Sequence, residues 1–205
     1  MRRRLPEDTM THHDLTLIER LSGFAAEPPL RARPEVRAAA EQGYRLLLHP
    51  GNPGVVSLLE RRAVAAFVAA LLEEERSRAH FLDLLRQTGA DGARLAPLIA
   101  AEADGAARPG PYGRFPAGPV TLADLDGAAY RVDPALRPVF GARLVAALEQ
   151  AHLLTFHPAD ETAGTQAALH RAGWTAAGIA TLGQIVAFLG VQVRLVMALR
   201  LCPVG

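Results

Sequence analysis

Lysine is missing from all 205 residues; the 22 basic side chains are all arginine. With no side-chain amine, no Schiff base can form on lysine and no P-loop lysine can hold a phosphate. Cysteine is nearly missing too, with Cys202 standing alone four residues from the end. One thiol makes no intramolecular disulfide, no CxxC redox couple and no cysteine-rich zinc site, and it suits a reducing cytoplasm. Aromatic residues are only 5% of the chain, and no stretch alternates apolar with polar as a strand does. A net charge of +1 supplies no field to draw nucleic acid or an anionic membrane.

What is abundant is alanine and leucine within a chain that is half hydrophobic. This composition favours helix, and the expected fold class is all-α, in one domain spanning residues 1–205. Its expected parts are a leader at 1–13, helices at 14–104, a Gly/Pro-rich loop at 105–121 and further helices at 122–205. The basic start Met1-Arg2-Arg3-Arg4 has no apolar signal stretch behind it, Met10 offers a second start, and His12-His13 reads as polar tail.

Local signals place the elements. Asp14 is a cap for a short helix ending at Gly23, residues 25–33 form a proline-rich linker, and Pro34 opens a second helix. His49-Pro50-Gly51-Asn52-Pro53-Gly54 must turn. Ser57 and Glu60 fit a capping box on a helix reaching Gln87, whose charged middle, Glu73 to Arg78, marks either a solvent-facing stretch or a break near Leu72. A helix follows at 93–103.

The 105–121 loop holds four glycines and four prolines, with Tyr112 and Phe115 expected to cover another surface. A helical turn follows at 120–127. Asp133-Pro134 reads as a cap and first helical residue, and Asp160 as the cap of a helix ending at Gly173. Thr175 caps a last helix in which Ile179, Leu182, Val186, Leu189, Val193 and Val196 form a coiled-coil-like seam. Gly183 and Gly190 would permit a close helix crossing, and Gln184, Gln192 and Arg194 argue against a membrane span.

Order and spacing carry a resemblance. Leu58 to Val64 running on to Gly89, Ala142 to Leu148 with His152 to Thr155, Ala168 to Thr175, and Ile179 to Leu201 around Val191-Gln192-Val193-Arg194 together resemble the alkylhydroperoxidase-D-like, or carboxymuconolactone-decarboxylase-like (CMD), family. That resemblance implies an AhpD-like helical bundle that assembles as dimers or trimers of dimers. It also implies a helix bearing a glutamate, a CxxC pair and a histidine. Aligned without gaps, the two cysteines fall on Glu74 and Ser77, while His80 and Glu60 lie near, but out of register with, the family's histidine and glutamate. Neither a carboxylate nor a hydroxyl can do thiol exchange.

Glu60, Glu74, Ser77 and His80 are therefore the candidate catalytic residues, since a carboxylate beside an imidazole can act as general acid and base. The competing structural reading gives Glu60 to the capping box, Glu74 to an i,i+4 pair with Arg78, and His80 to a subunit contact. His152, His157 and His170 form a second titratable group without a carboxylate partner, so neither a metal nor another cofactor is expected. Cys202 lacks the base that peroxide chemistry would need. Two functions follow. The first is an oligomeric accessory or binding protein without thiol peroxidase activity, placed beside a cysteine-retaining paralogue. The alternative is a thiol-free acid–base enzyme acting on a small organic acid or lactone, with Arg76 or Arg78 holding its carboxylate.

Overall fold

The computed structural model describes residues 16–23, 34–108 and 129–201, and within them the fold is all-α. The helices are α1 (Leu17–Ser22), α2 (Pro34–Leu48), α3 (Leu58–Leu71), α4 (Glu75–Arg86), α5 (Ala90–Ala106), α6 (Arg137–Phe156), α7 (Ala163–Arg171) and α8 (Ala176–Leu201). A 3₁₀ turn at Pro158–Asp160 joins α6 to α7. The leader with Met10, His12 and His13, the Asp14 cap, the 25–33 linker, Tyr112, Phe115, the 120–127 turn and Cys202 lie outside the described residues.

Helix α3 is the axis of the bundle. Every residue from Arg61 to Leu71 is buried, and α4, α5, α6 and α8 pack around it. Its five buried alanines let those neighbours approach closely, while Val64, Phe67, Val68 and Leu71 fill the layers between, each worth about 1.5–3 kcal/mol when removed from water. The close approach extends to glycine elsewhere. A Cβ on Gly92 would lie 2.0 Å from the Leu85 carbonyl oxygen, so only glycine lets α5 begin against the end of α4. A Cβ on Gly43 of α2 would likewise come within 3.0 Å of the Phe188 ring of α8.

Arg61 and Arg62 are buried and bind carbonyls. Arg61 donates to the carbonyls of Leu47, Pro53 and Val56, and Arg62 to those of Leu48 and Leu84. Two guanidinium groups thus satisfy the carbonyls that α2 leaves open at its C-terminus, and one reaches the end of α4 as well. The His49–Gly54 turn is held from beneath by the same pair.

Several boundaries differ from expectation. Thr16, with Glu19, makes the capping box of α1. The long helix to Gln87 is two helices, α3 and α4, broken at Leu72–Glu74 where Glu73 takes φ 56°, the only positive φ outside glycine among the described residues. The break is the second of the two alternatives for the charged stretch; Glu73, Glu75 and Arg76 face solvent as the first alternative had it, while Glu74 and Ser77 turn inward and are buried. Helix α5 runs longer than 93–103 and carries Pro97 inside it. Asp133 accepts the Ala135 N–H in a turn that precedes α6, so Pro134 is not helical. Thr162, not Asp160, caps α7, because Asp160 already belongs to the 3₁₀ turn.

Thr175 does cap α8, through the Gly178 N–H at 3.2 Å, and the seam residues Leu182, Val186, Leu189, Val193 and Val196 are buried. Gly183 and Gly190 meet no crossing helix: a Cβ on the first would touch nothing, and on the second only Arg194 of the same helix. Helix α8 is the one helix among the described residues long and apolar enough to cross a membrane, yet one side of it forms part of the core.

Candidate functional site

The junction between α3 and α4 holds two of the four candidate residues, Glu74 and Ser77. Because the chain leaves α3 through a left-handed Glu73, the next residue, Glu74, arrives at the N-terminus of α4 in extended conformation. Its carboxylate accepts the backbone N–H of Ser77 at 2.7 Å and of Arg76 at 3.4 Å, which makes it the N-cap of α4. The Arg200 guanidinium, from the last turn of α8, donates at 2.6 Å to the oxygen that also takes the Arg76 N–H. Glu74 is only 4% exposed. Burial raises its pKa, but the hydrogen bonds from Ser77, Arg200 and Arg76 together outweigh burial and leave the net value below the ordinary carboxylate range. Both oxygens are in use and the charge is held.

The expected Glu74–Arg78 pair is absent because Glu74 turns inward to cap. Arg78 instead forms a bidentate pair with Asp104 of α5. Ser77 is completely buried beneath the junction.

Glu60 lies at the opposite end of α3, roughly 20 Å from Glu74 at 1.5 Å of rise per residue over its 14 residues. It closes the capping box with Ser57 as expected. Its other oxygen takes Nε of Arg143, a residue the sequence reading did not single out. Arg143 also donates to the carbonyls of Gly173 and Val55, and its guanidinium lies 4.4 Å above the Trp174 ring. Trp174 returns a bond from Nε1 to the Arg143 carbonyl at 2.9 Å. The lone tryptophan was the available signal, since a buried indole needs an acceptor for its N–H.

His80 faces a third direction. Its Nε2 is 2.9 Å from the Tyr44 hydroxyl, within an aromatic group that includes His49 and Phe81. Burial, then the positive charge of Arg20 and the neighbouring His49, push its pKa down to about 4. It is neutral at pH 7, and burial raises the Tyr44 pKa, so the ring and the phenol meet as two neutral groups sharing one hydrogen bond. Of the four candidate residues, only Glu74 and Ser77 are brought together; Glu60 and His80 each have separate partners.

The second titratable group is more connected than its spacing suggested. His152 is 1% exposed, stacks on Tyr130 with centroids 4.7 Å apart, and meets the His157 ring at 5.6 Å. Its Nε2 donates to the Ala106 carbonyl at 3.0 Å. Burial is the main reason its pKa falls to about 4, with the hydrogen bond to Ala106 opposing and His157 and Arg108 assisting. The Tyr130 hydroxyl donates to Glu102 at 2.6 Å, and the same oxygen takes the Asp133 N–H, which pins the chain entering α6 onto α5. Burial and the Glu102 charge both raise the Tyr130 pKa. A cavity of about 500 Å³ adjoins these groups, with Arg108, Arg131 and Asp133 at its edge. His170 is apart from both, bound to the Trp174 carbonyl.

No three histidine, cysteine, aspartate or glutamate residues gather as metal ligands among the described residues. No family model, curated protein or solved structure matches this chain, so the site is read from its own geometry.

Proposed function

We propose that this chain is a CMD/AhpD-like protein without thiol peroxidase activity that serves as an oligomeric accessory or binding scaffold in the cytoplasm, alongside a paralogue that retains the cysteines. The observation that carries this reading is the state of Glu74. At the position aligned with the first family cysteine, a buried carboxylate caps one helix and anchors the end of another, and both oxygens are occupied. Such a group, 4% exposed and already accepting three hydrogen bonds, holds structure and gives a substrate little access.

The acid–base alternative needs Glu60 or Glu74 to share a pocket with His80. The two glutamates are at opposite ends of α3, and His80 is hydrogen-bonded to Tyr44. Arg78 is paired with Asp104, which leaves it unsuited to hold a substrate carboxylate. These commitments count against that enzyme.

The purified chain is expected to sediment as a homo-oligomer at micromolar concentration and to reduce an alkyl hydroperoxide no faster than background in the presence of a dithiol. Steady turnover that survives Cys202→Ser would contradict the reading, because it would require peroxide chemistry without any thiol. A monomer would contradict its oligomeric part.

A further inference from the structure

Helix α8 is apolar on all sides, a pattern expected of a helix covered all round. Only 39% of its most apolar eighteen-residue stretch is buried. The uncovered side includes Val191 and, with Ile179 of the same helix, lines a groove of about 370 Å³ that Leu154 of α6 and Pro158 also line. Two opposite charges share this groove, Glu161 and Arg194. Glu161 accepts hydrogen bonds from the neutral side chains of Gln150 at 2.9 Å and Gln166 at 3.5 Å. Arg194 reaches only the Gly190 carbonyl of its own helix, at 3.4 Å. Neither forms an ion pair among the described residues.

We propose that this groove receives the same groove of a second copy about a two-fold axis, with Arg194 of each copy meeting Glu161 of the other. A two-fold interface is self-complementary: when one residue meets a second across it, the second meets the first on the other side. A groove carrying one unpaired charge of each sign on an apolar floor satisfies that condition. Gly183, where an added Cβ would meet nothing, leaves its floor low enough there for a side chain of a facing helix. This inference rests on the oligomeric reading above and names the surface and the contacts that reading leaves open.

The test is a charge exchange on the full chain, followed by sedimentation equilibrium at low salt. Both residues are exposed, and circular dichroism melts confirm that each variant folds. Arg194→Glu or Glu161→Arg places like charges opposite each other twice per dimer, and each is expected to raise the dimer Kd at least about tenfold. The double variant, R194E with E161R, restores both pairs and is expected to return Kd to within about threefold of the parent, since only the direction of each pair is reversed. If the single variants dimerise like the parent, the copies meet elsewhere; this proposal falls and the scaffold reading stands. If both single variants dissociate and the double does not recover, the charges do not face each other and the proposal also falls. A parent chain that is monomeric, whether free or bound to phosphatidylcholine vesicles, overturns both.

Discussion

Acidification from pH 7 to 4.5 is expected to remove roughly 2–3 kcal/mol of stability through His152 alone. In the unfolded chain a histidine takes its proton near pH 6.5, whereas in the fold His152 resists protonation until about pH 4. Between those values the unfolded state binds more protons, so stability is complete above pH 6.5 and is lost as pH falls through 4. The cause is spatial. The ring is enclosed by Tyr130 and Phe156, beside His157, with no carboxylate among its hydrogen-bond or ring partners in the described residues. His80 has the same sign of effect, with a pKa also near 4, but it is less covered and its contribution is smaller. Urea unfolding measured at several pH values reads this directly. His152→Phe keeps the aromatic contacts and removes the titration, so its midpoint should fall less steeply than the parent's between pH 6.5 and 4. Parallel slopes would show that His152 is not the acid-sensitive group.

Replacing Arg143 is expected to cost roughly 2–3 kcal/mol, or about 5–9 °C in Tm for a chain of this size. This one side chain joins Glu60 at the head of α3, the carbonyls of Val55 and Gly173, and the Trp174 ring. Arg143→Ala leaves a mostly buried carboxylate and two carbonyls without their donor. Arg143→Lys should recover little, because an ammonium cannot donate in three fixed directions while lying flat on an indole. A thermal melt of either variant within about 1 °C of the parent would mean the clasp is incidental to the fold.

The features legible in the sequence were those set by near neighbours. Ser57 and Glu60 are three residues apart, Thr175 directly precedes its helix, and the α8 seam repeats every three or four positions, so each was readable from the local chain. The break between α3 and α4 left only an ambiguous mark, the charged run from Glu73 to Arg78, which fits a solvent-facing stretch as well as a break near Leu72. It holds neither glycine nor proline, and Glu73 adopts a left-handed conformation that its side chain disfavours. Placing the break at Leu72 rather than reading through to Gln87 required knowing that α4 and α5 fold back on α3.

Partners far apart in the chain were the least legible. Arg200 reaches Glu74 across 126 positions and Arg143 reaches Glu60 across 83, and no spacing rule links them. Consecutive arginines at 61 and 62 suggest a solvated face, because a buried charge ordinarily calls for an opposite charge. Here helix-end carbonyls take that place, and nothing in the composition indicates that they would. The four candidate residues were found, but their separation could be seen only once α3 had a length and two ends.

Glu74 offers the most direct measurement of whether the α3–α4 junction holds structure or performs chemistry. A residue kept for chemistry at the expense of the fold leaves the protein equally or more stable when it is replaced. A cap leaves it weaker. Glu74→Ala removes the N-cap of α4 and the anchor of Arg200, which is itself partly exposed and adds little. The unfolding free energy at pH 7 should therefore fall by roughly 1–2 kcal/mol. An alanine variant as stable as the parent, or more stable, would contradict the structural role assigned to this carboxylate and return the site to the enzyme reading.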